Sequence, residues 1–465
     1  MSGILFANAL YFAIGVGLLP LLRIAGDRAT LLARLPLAYL VGLAATGIVA
    51  AHLALVDVTL GLVELVVLAA VVLFLGLRRV RGPVGASNRP SLAPEPPWSR
   101  ALGVAALLVA LVLLGHAFAT YELRPLLEWD GWAIWGTRAR ALYEFGGATG
   151  PVFTSEVYLP LQHPLLLPSL EAIDYRAMGV YDPTLAHVQL ALYAIGFLLA
   201  FVALLRDRVP FALVGLTVLA LLSAEPVLKQ LSTNLADVPL AFFVSLGLVG
   251  TGRWLATGER WTLVAGTLFL GAASLTKSEG LFFALAALLA LAPFARGRLR
   301  ELGLAALAVA LIVLPWRLFV AIEDLPIVEY RFRNALSPGY LSDNSDRVEP
   351  AVRGLGGEIF TWDWGLLVPL VAASLVAAVL ARRHALAAFA ALWTALAFLG
   401  LVLVYWISTI PIELALVWSG DRTIVTVVLG AASLAALLAG EALVAGERAE
   451  GVERGLLLPR PRQQA

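Results

Sequence analysis

The chain contains no cysteine. That excludes disulfides, thiolate metal sites and a cysteine nucleophile. Lysine is nearly absent: Lys229 and Lys277 are the only two, and arginine carries the rest of the basic charge. Charge of either sign is scarce, at 14% of 465 residues against 60% hydrophobic. A soluble domain of that composition would have no polar surface to turn toward water. A net charge of +1 says nothing about nucleic acid, which is not among the expected partners. Phosphate-binding glycine loops, HExxH and GxSxG are missing from any credible setting. His52, His116, His187 and His384 are scattered, without ligand spacing. No internal repeat is visible. The first apolar segment has no basic n-region and no A-x-A-like site before a polar domain, so it reads as a span and not a cleaved leader.

What is present is a succession of apolar runs near the spanning length of roughly 17 to 25 residues. They fall near 3–22, 36–55, 58–77, 101–119, 188–205, 209–226, 237–252, 262–275, 280–295, 302–320, 362–381, 385–404 and 423–440. The expected fold class is an all-α polytopic membrane protein of about thirteen transmembrane helices. Three of them, in residues 1–79, precede a Pro-rich linker at 80–100; a core at 101–440 and a tail at 441–465 follow.

The arginines orient the chain, because basic residues stay on the cytoplasmic side. With Arg23, Arg28 and Arg34 inside, alternation also places inside Arg78, Arg79, Arg81, Arg100, Arg206, Arg208, Arg253, Arg260, Arg296, Arg298, Arg300, Arg382, Arg383 and the tail's Arg448, Arg454, Arg460 and Arg462. The N-terminus is then external and the C-terminus cytoplasmic, in a multi-pass protein of the cell membrane. Residues 163–179 are apolar enough to count as a span. If they crossed, every later arginine cluster would move outside. They are therefore expected to lie on the outer surface or to dip in and return, within one external loop at 120–185.

That loop holds EWDGWAIWGTRARALYEFGG, residues 128–147. At 100° per residue, Trp129, Trp132, Trp135, Ala139, Leu142 and Tyr143 share a face. Asp130, Thr137, Arg140 and Glu144 take the opposite one. The expectation is an amphipathic helix lying in the membrane surface, tryptophans at headgroup level and Asp130 turned away from them.

The same topology gathers other polar groups at the outer face. Asp237 opens a helix in LSTNLADVPLAFF, with Pro239 in its first turn, where proline is tolerated. Lys277 and Glu279 sit in a tight turn between apolar segments, and an ionisable residue close to hydrocarbon is a functional candidate. Glu128, Arg138, Arg140, His163, Lys229, Arg317, Arg331, Arg333, Asp421 and Arg422 complete the set. Solvated loop charges would account for Arg138, Arg140, Arg331 and Arg333; a surface pair with Glu279 would account for Lys277; a packing role would account for His163. Glu128 and Asp130 could hold a divalent cation, though two carboxylates alone define no metal site.

The order of these motifs resembles the GT-C superfamily of integral-membrane glycosyltransferases. The similarity is to its protein O-mannosyltransferase, aminoarabinose transferase and rhizobial lipopolysaccharide transferase branches. It runs over residues 101–440 through EWDGWAIWGTRARALYEFGG, LPLQHPLLLPSLEA, NLADVPLAFF, LTKSEGLFF and SGDRTIVTVV. The chain departs from the pattern in lacking a paired Asp-Glu in the first loop and a proline-rich continuation after Arg422. The three leading helices fall outside the family's core.

The resemblance implies transfer of a sugar from a polyprenyl-phosphate donor to an acceptor hydroxyl of an envelope glycan, lipid or protein on the outer face. It implies an inverting displacement with Asp130 as base and Asp237 as a second, orienting carboxylate. Lys277 and Arg422, with Arg138 and Arg333 behind them, would hold the donor phosphate. Glu128, His163 and Glu279 would orient substrate. No cofactor or metal is required by that scheme. Two other readings stay open: a transporter or flippase of lipid-linked saccharides, marked by mid-membrane charges, broken helices or repeats, and a polysaccharide polymerase or ligase using the external loop at 321–361.

Overall fold

A computed structural model of the chain describes residues 2–80, 95–121, 128–154, 161–325 and 330–457. Most of the Pro-rich linker, 81–94, and the last residues of the tail, 458–465, lie outside the described residues. The described chain is helical, and its one β feature is an antiparallel bridge between Tyr330 and Ser408. In lipid each backbone N–H and C=O must be satisfied within its own segment, which selects helices.

Every apolar run read from the sequence falls on a helix. Among the described residues, eight helices are long and apolar enough to cross a membrane: Ser2–Leu21, Arg28–Ala54, Pro97–Ala119, Pro183–Leu205, Asp237–Thr257, Leu299–Ile322, His384–Ile407 and Ile412–Ala445. Phe211–Ser223 and Glu225–Leu231, bent by 63° at their junction, make a ninth if counted as one span. The remaining runs form shorter helices, Leu62–Leu77, Arg260–Thr276, Ser278–Phe294 and Leu367–Leu380.

The chain begins with α1 (Ser2–Leu21), α2 (Arg28–Arg34), α3 (Ala38–Ala54) and α4 (Leu62–Leu77). Asp27 starts α2 with a capping box, its carboxylate accepting from the Thr30 N–H at 2.8 Å. α5 (Pro97–Tyr121) leads to α6 (Thr137–Phe145), α7 (Pro151–Thr154) and α8 (Leu166–Met178). Then come α9 (Ala186–Leu205), α10 (Phe211–Ser223), α11 (Glu225–Leu231), α12 (Asp237–Thr257), α13 (Arg260–Thr276), α14 (Ser278–Leu291) and α15 (Leu299–Ile322). The loop expected at 321–361 carries α16 (Pro338–Asp343) and α17 (Val348–Ile359), and α17 packs on the last two helices, His384–Ile407 and Ile412–Leu457. α18 (Leu367–Leu380), α19 (His384–Ile407) and α20 (Ile412–Leu457) end the described chain.

α12 is the axis. Its side chains from Asp237 to Trp254 are all buried, and α9, α13, α14, α19 and α20 surround it. α12 and α13 approach closely because a Cβ on Gly266 would stand 2.9 Å from the Gly247 carbonyl oxygen. Small residues permit such crossings where lipid supplies no hydrophobic drive. The periphery is inverted relative to a soluble protein: Val63, Val67, Phe74, Leu108, Val112, Leu307 and Leu311 are exposed. The leading helices are joined to the rest, α3 packing on α8 and α13.

The expected arginine clusters interlock at one end of the bundle. Arg253 pairs with Asp207 at 2.5 Å and with Glu259 at 2.7 Å. Arg208 and Arg383 share Glu441. Arg260 pairs with Glu301, and Arg34 stacks on Trp261. The opposite end holds Asp237, Lys277 and His163. α8 stays at that end: His163, just before it, contacts Ser278, and Ala177, near its finish, lies against Gly3 at the start of α1. Its 13 residues span about 20 Å, short of the roughly 30 Å of hydrocarbon.

Candidate functional site

At the end opposite the arginine clusters lies a cavity of about 640 Å³. Its polar lining is Glu128, Asp130, His163, Lys277, Glu279 and Arg422, among Trp129, Trp135, Tyr330, Tyr405 and Trp418. Of the residues expected from sequence, these six converge on one space, and Asp237 stands directly behind Lys277.

Asp130 and Arg422 meet across 292 positions of sequence, the guanidinium donating to the carboxylate at 2.7 Å. Arg422 is half-embedded in α20, and its Nε is buried without a hydrogen-bond partner among the described residues. Ser419, one turn before it, and Thr423, the next residue, are hydrogen-bonded to the Tyr405 hydroxyl at 2.8 and 3.2 Å. They fix the wall beside the guanidinium.

Lys277 joins α13 to α14 and is buried. Its ammonium donates to Asp237 at 2.7 Å and lies 3.7 Å from Glu279. Burial opposes its charge, but Asp237 and Glu279 outweigh that and hold its pKa above the usual lysine range. The expected alternative, a surface pair with Glu279 alone, is replaced by a buried triad whose strongest contact is Asp237. Gly280 makes the turn possible, since a Cβ there would run into the Ala273 carbonyl. Asp237 does not line the cavity; it orients Lys277. Glu279 Oε2 has no partner among the described residues.

His163 is held from two sides. Its Nδ1 lies 3.2 Å from the Ser278 hydroxyl, which donates to the Gln162 carbonyl at 3.0 Å. Its ring leans on Trp135, centroids 5.4 Å apart.

The first external helix differs from expectation. Residues Asp130–Gly136 form a π-helix, and only Thr137–Phe145 is α-helical. Its i→i+5 pattern adds about one residue to each turn, so the 100° wheel loses phase. Trp129 and Trp132 are 56% and 50% exposed, as an interfacial stripe requires, but Trp135 is 2% exposed. Asp130 and Trp135 line the same cavity, so Asp130 is not opposite the tryptophans.

Arg138 and Arg333 are not at the cavity. Arg138 is buried behind its wall, donating to the Leu161 carbonyl at 3.2 Å with its guanidinium over Phe153. Burial pulls its pKa down to about 9. It supports the turn that carries His163. Arg333 is exposed in a short turn, Phe332–Leu336. Among the described residues, no group of three or more His, Asp or Glu is arranged to hold a metal ion.

Tyr405 and Trp418 were not picked out from sequence because aromatics beside apolar runs look like core or interface, and Tyr330 was not because it stands in a charged external loop. The small polar pair Ser419 and Thr423 flanking Arg422 at helical spacing was the available cue. Comparison of the chain with family models, curated proteins and solved structures returns no match. The chain is a helical protein with membrane-spanning character and a charged, aromatic-walled cavity at one end.

Proposed function

We propose that the chain is a GT-C-like inverting glycosyltransferase of the plasma membrane. It would move a sugar from a polyprenyl-phosphate carrier to a hydroxyl of an envelope glycan, lipid or protein on the outer face. The meeting of Asp130 and Arg422 on a cavity shared with Lys277 and Glu279 carries this reading. In it all the apolar runs cross, about thirteen spans, with the N-terminus external, the C-terminus cytoplasmic and the cavity outward.

The chemistry follows from the pairs. The acceptor hydroxyl is a weak nucleophile, and a base is worth on the order of 10²–10⁴-fold. Asp130 is tied to Arg422. A donor phosphate engages the remaining N–H groups of that guanidinium, which bind phosphate in a fork. As the bond from the sugar to the phosphate oxygen breaks, charge builds on the phosphate and draws Arg422 and Lys277 toward it. Asp130, relieved of its partner, takes the proton as the acceptor oxygen bonds to the anomeric carbon. The lipid phosphate departs, and the single displacement inverts the centre. Glu279 offers a free oxygen to a sugar hydroxyl, and the tryptophans offer apolar faces to the ring and the first prenyl units.

Mass spectrometry of envelope glycans, with and without the protein, tests the reading. Loss of one sugar type, restored by the wild-type chain and not by Asp130→Asn, is the expected result; unchanged glycans would refute it. One observation favours a second reading, a flippase of lipid-linked saccharides: the 63° break between α10 and α11 is a feature of transport proteins. Movement of a labelled lipid-linked sugar across proteoliposomes, unaffected by Asp130→Asn, would select it.

A further inference from the structure

A second cavity, of about 770 Å³, lies between α13 and α15 at the arginine-rich end. It plays no part in the proposed reaction. The helical rise of about 1.5 Å per residue puts Arg260, at one end of α13, about 25 Å from Lys277 at the other. The two cavities therefore face opposite leaflets.

The cavity is charged at one end and apolar along the rest. Arg260, Arg298, Arg300 and Glu301 line the charged end, so three guanidinium groups accompany one carboxylate. Glu301 is already engaged, accepting from Arg260 at 2.7 Å and from the Trp254 indole at 2.9 Å. Arg298 gives one N–H to the Trp254 carbonyl at 3.2 Å, and Arg300 has no ion-pair partner among the described residues. The positive end of the α15 dipole adds to this surplus.

The apolar walls are Leu263, Val264 and Leu268 of α13 and Leu304, Ala305, Ala308 and Ile312 of α15. From Glu301 to Ile312 they run about 16 Å, half of the roughly 30 Å hydrocarbon thickness. Leu304 is exposed, so the groove is open on its lipid side. Basic pockets between helices near a membrane surface suit anionic headgroups, and a guanidinium matches a phosphate better than an ammonium does.

We propose that this groove binds an anionic glycerophospholipid of the arginine-rich leaflet, its phosphate on Arg298 and Arg300 and an acyl chain between α13 and α15. The charge complements a phosphate, and the depth matches one leaflet.

The test uses the full chain purified in a non-ionic detergent. Thermal unfolding and native mass spectrometry are followed with phosphatidylglycerol, with phosphatidylcholine of the same chains, and with glycerol 3-phosphate. Phosphatidylglycerol should raise Tm by roughly 5 °C at saturation and stay bound at one copy. Phosphatidylcholine and glycerol 3-phosphate should do neither. Arg298→Gln with Arg300→Gln, both at exposed positions, should keep the lipid-free Tm and lose the shift. Ala308→Phe should lose it by filling the groove. An equal response to phosphatidylcholine, a full response to glycerol 3-phosphate, or an undiminished shift in the double variant would overturn the proposal. If the double variant unfolds early, a shift retained by Ala308→Phe overturns it equally.

Discussion

At the scale of residues, the site is a set of exchanged partners. Asp130→Asn keeps the size of the side chain and some hydrogen bonding to Arg422, but cannot take a proton. Transfer should fall by 10²-fold or more, on the order expected for a base, with donor affinity held; near-normal turnover at saturating donor would sink that role. Lys277→Ala acts differently, because it strands Asp237 and Glu279 in a buried place. Removing one partner of a buried pair costs about 3–5 kcal/mol. Lys277→Ala should therefore lower both thermal stability and donor affinity. Adding Asp237→Asn should restore much of the stability and none of the affinity, which unfolding and donor titration would separate. Away from the cavity, burial pushes the Glu171 carboxyl up to about 8. Burial raises Asp174 as well. The folded chain then holds protons that the unfolded chain releases above pH about 4.5. The contribution of these two carboxyls to stability is therefore full below that pH and falls as pH rises to about 8. Glu171→Gln should flatten part of the fall in a Tm-against-pH series; an unaltered slope would show that Glu171 does not contribute.

At the scale of elements, the π-helical turn decides where Asp130 stands. Deleting Ala133, one residue of that turn, should rewind Asp130–Gly136 as α-helix and swing Asp130 off Arg422. Activity should be lost while circular dichroism and lipid association persist; full activity in the deletion would mean the winding is incidental. The same turn explains what the sequence could and could not reveal. Alternating tryptophans predicted an interfacial helix, and Trp129 and Trp132 are exposed as that requires. The wheel assumed 3.6 residues per turn, so it put Trp135 with them and Asp130 across from them. No local cue in DGWAIWG announced the change of winding, because the π-turn is held by tertiary contacts such as Trp135 on His163. Lys277 was legible as an oddity between apolar runs. Its partner Asp237, forty residues earlier, was legible only as another outer carboxylate, since their pairing is made by the α12–α13 crossing.

At the scale of the whole molecule, charge alone proved informative. The alternation of arginines grouped Arg34, Arg208, Arg253, Arg260, Arg298 and Arg383, and the structure brings them together at one end. It also kept α8 off the list of spans, which hydropathy could not do. A reporter fused at 207 should read as cytoplasmic and one at 183 as external. Both on one side would break the topology. The number of crossings was less legible, because runs such as 262–275 and 362–381 are apolar but give short helices whose ends the sequence does not mark.

The burial of α12 along its whole length has a consequence for how the protein is made. It is the least apolar of the eight long helices, and it carries Asp237, Ser245, Thr251 and Arg253 into the bundle. Alone in lipid, such a segment would enter the bilayer poorly, since each charge near the hydrocarbon opposes insertion. Asp207 is already made when Arg253 emerges, but Lys277, the partner of Asp237, is translated after α12. The newly made α12 is therefore expected to leave the insertion machinery only once α13 and the Lys277 turn have emerged. A nascent chain stalled before residue 277 would hold α12 at the channel, and release into the membrane would begin only when the ammonium arrives to meet its carboxylate.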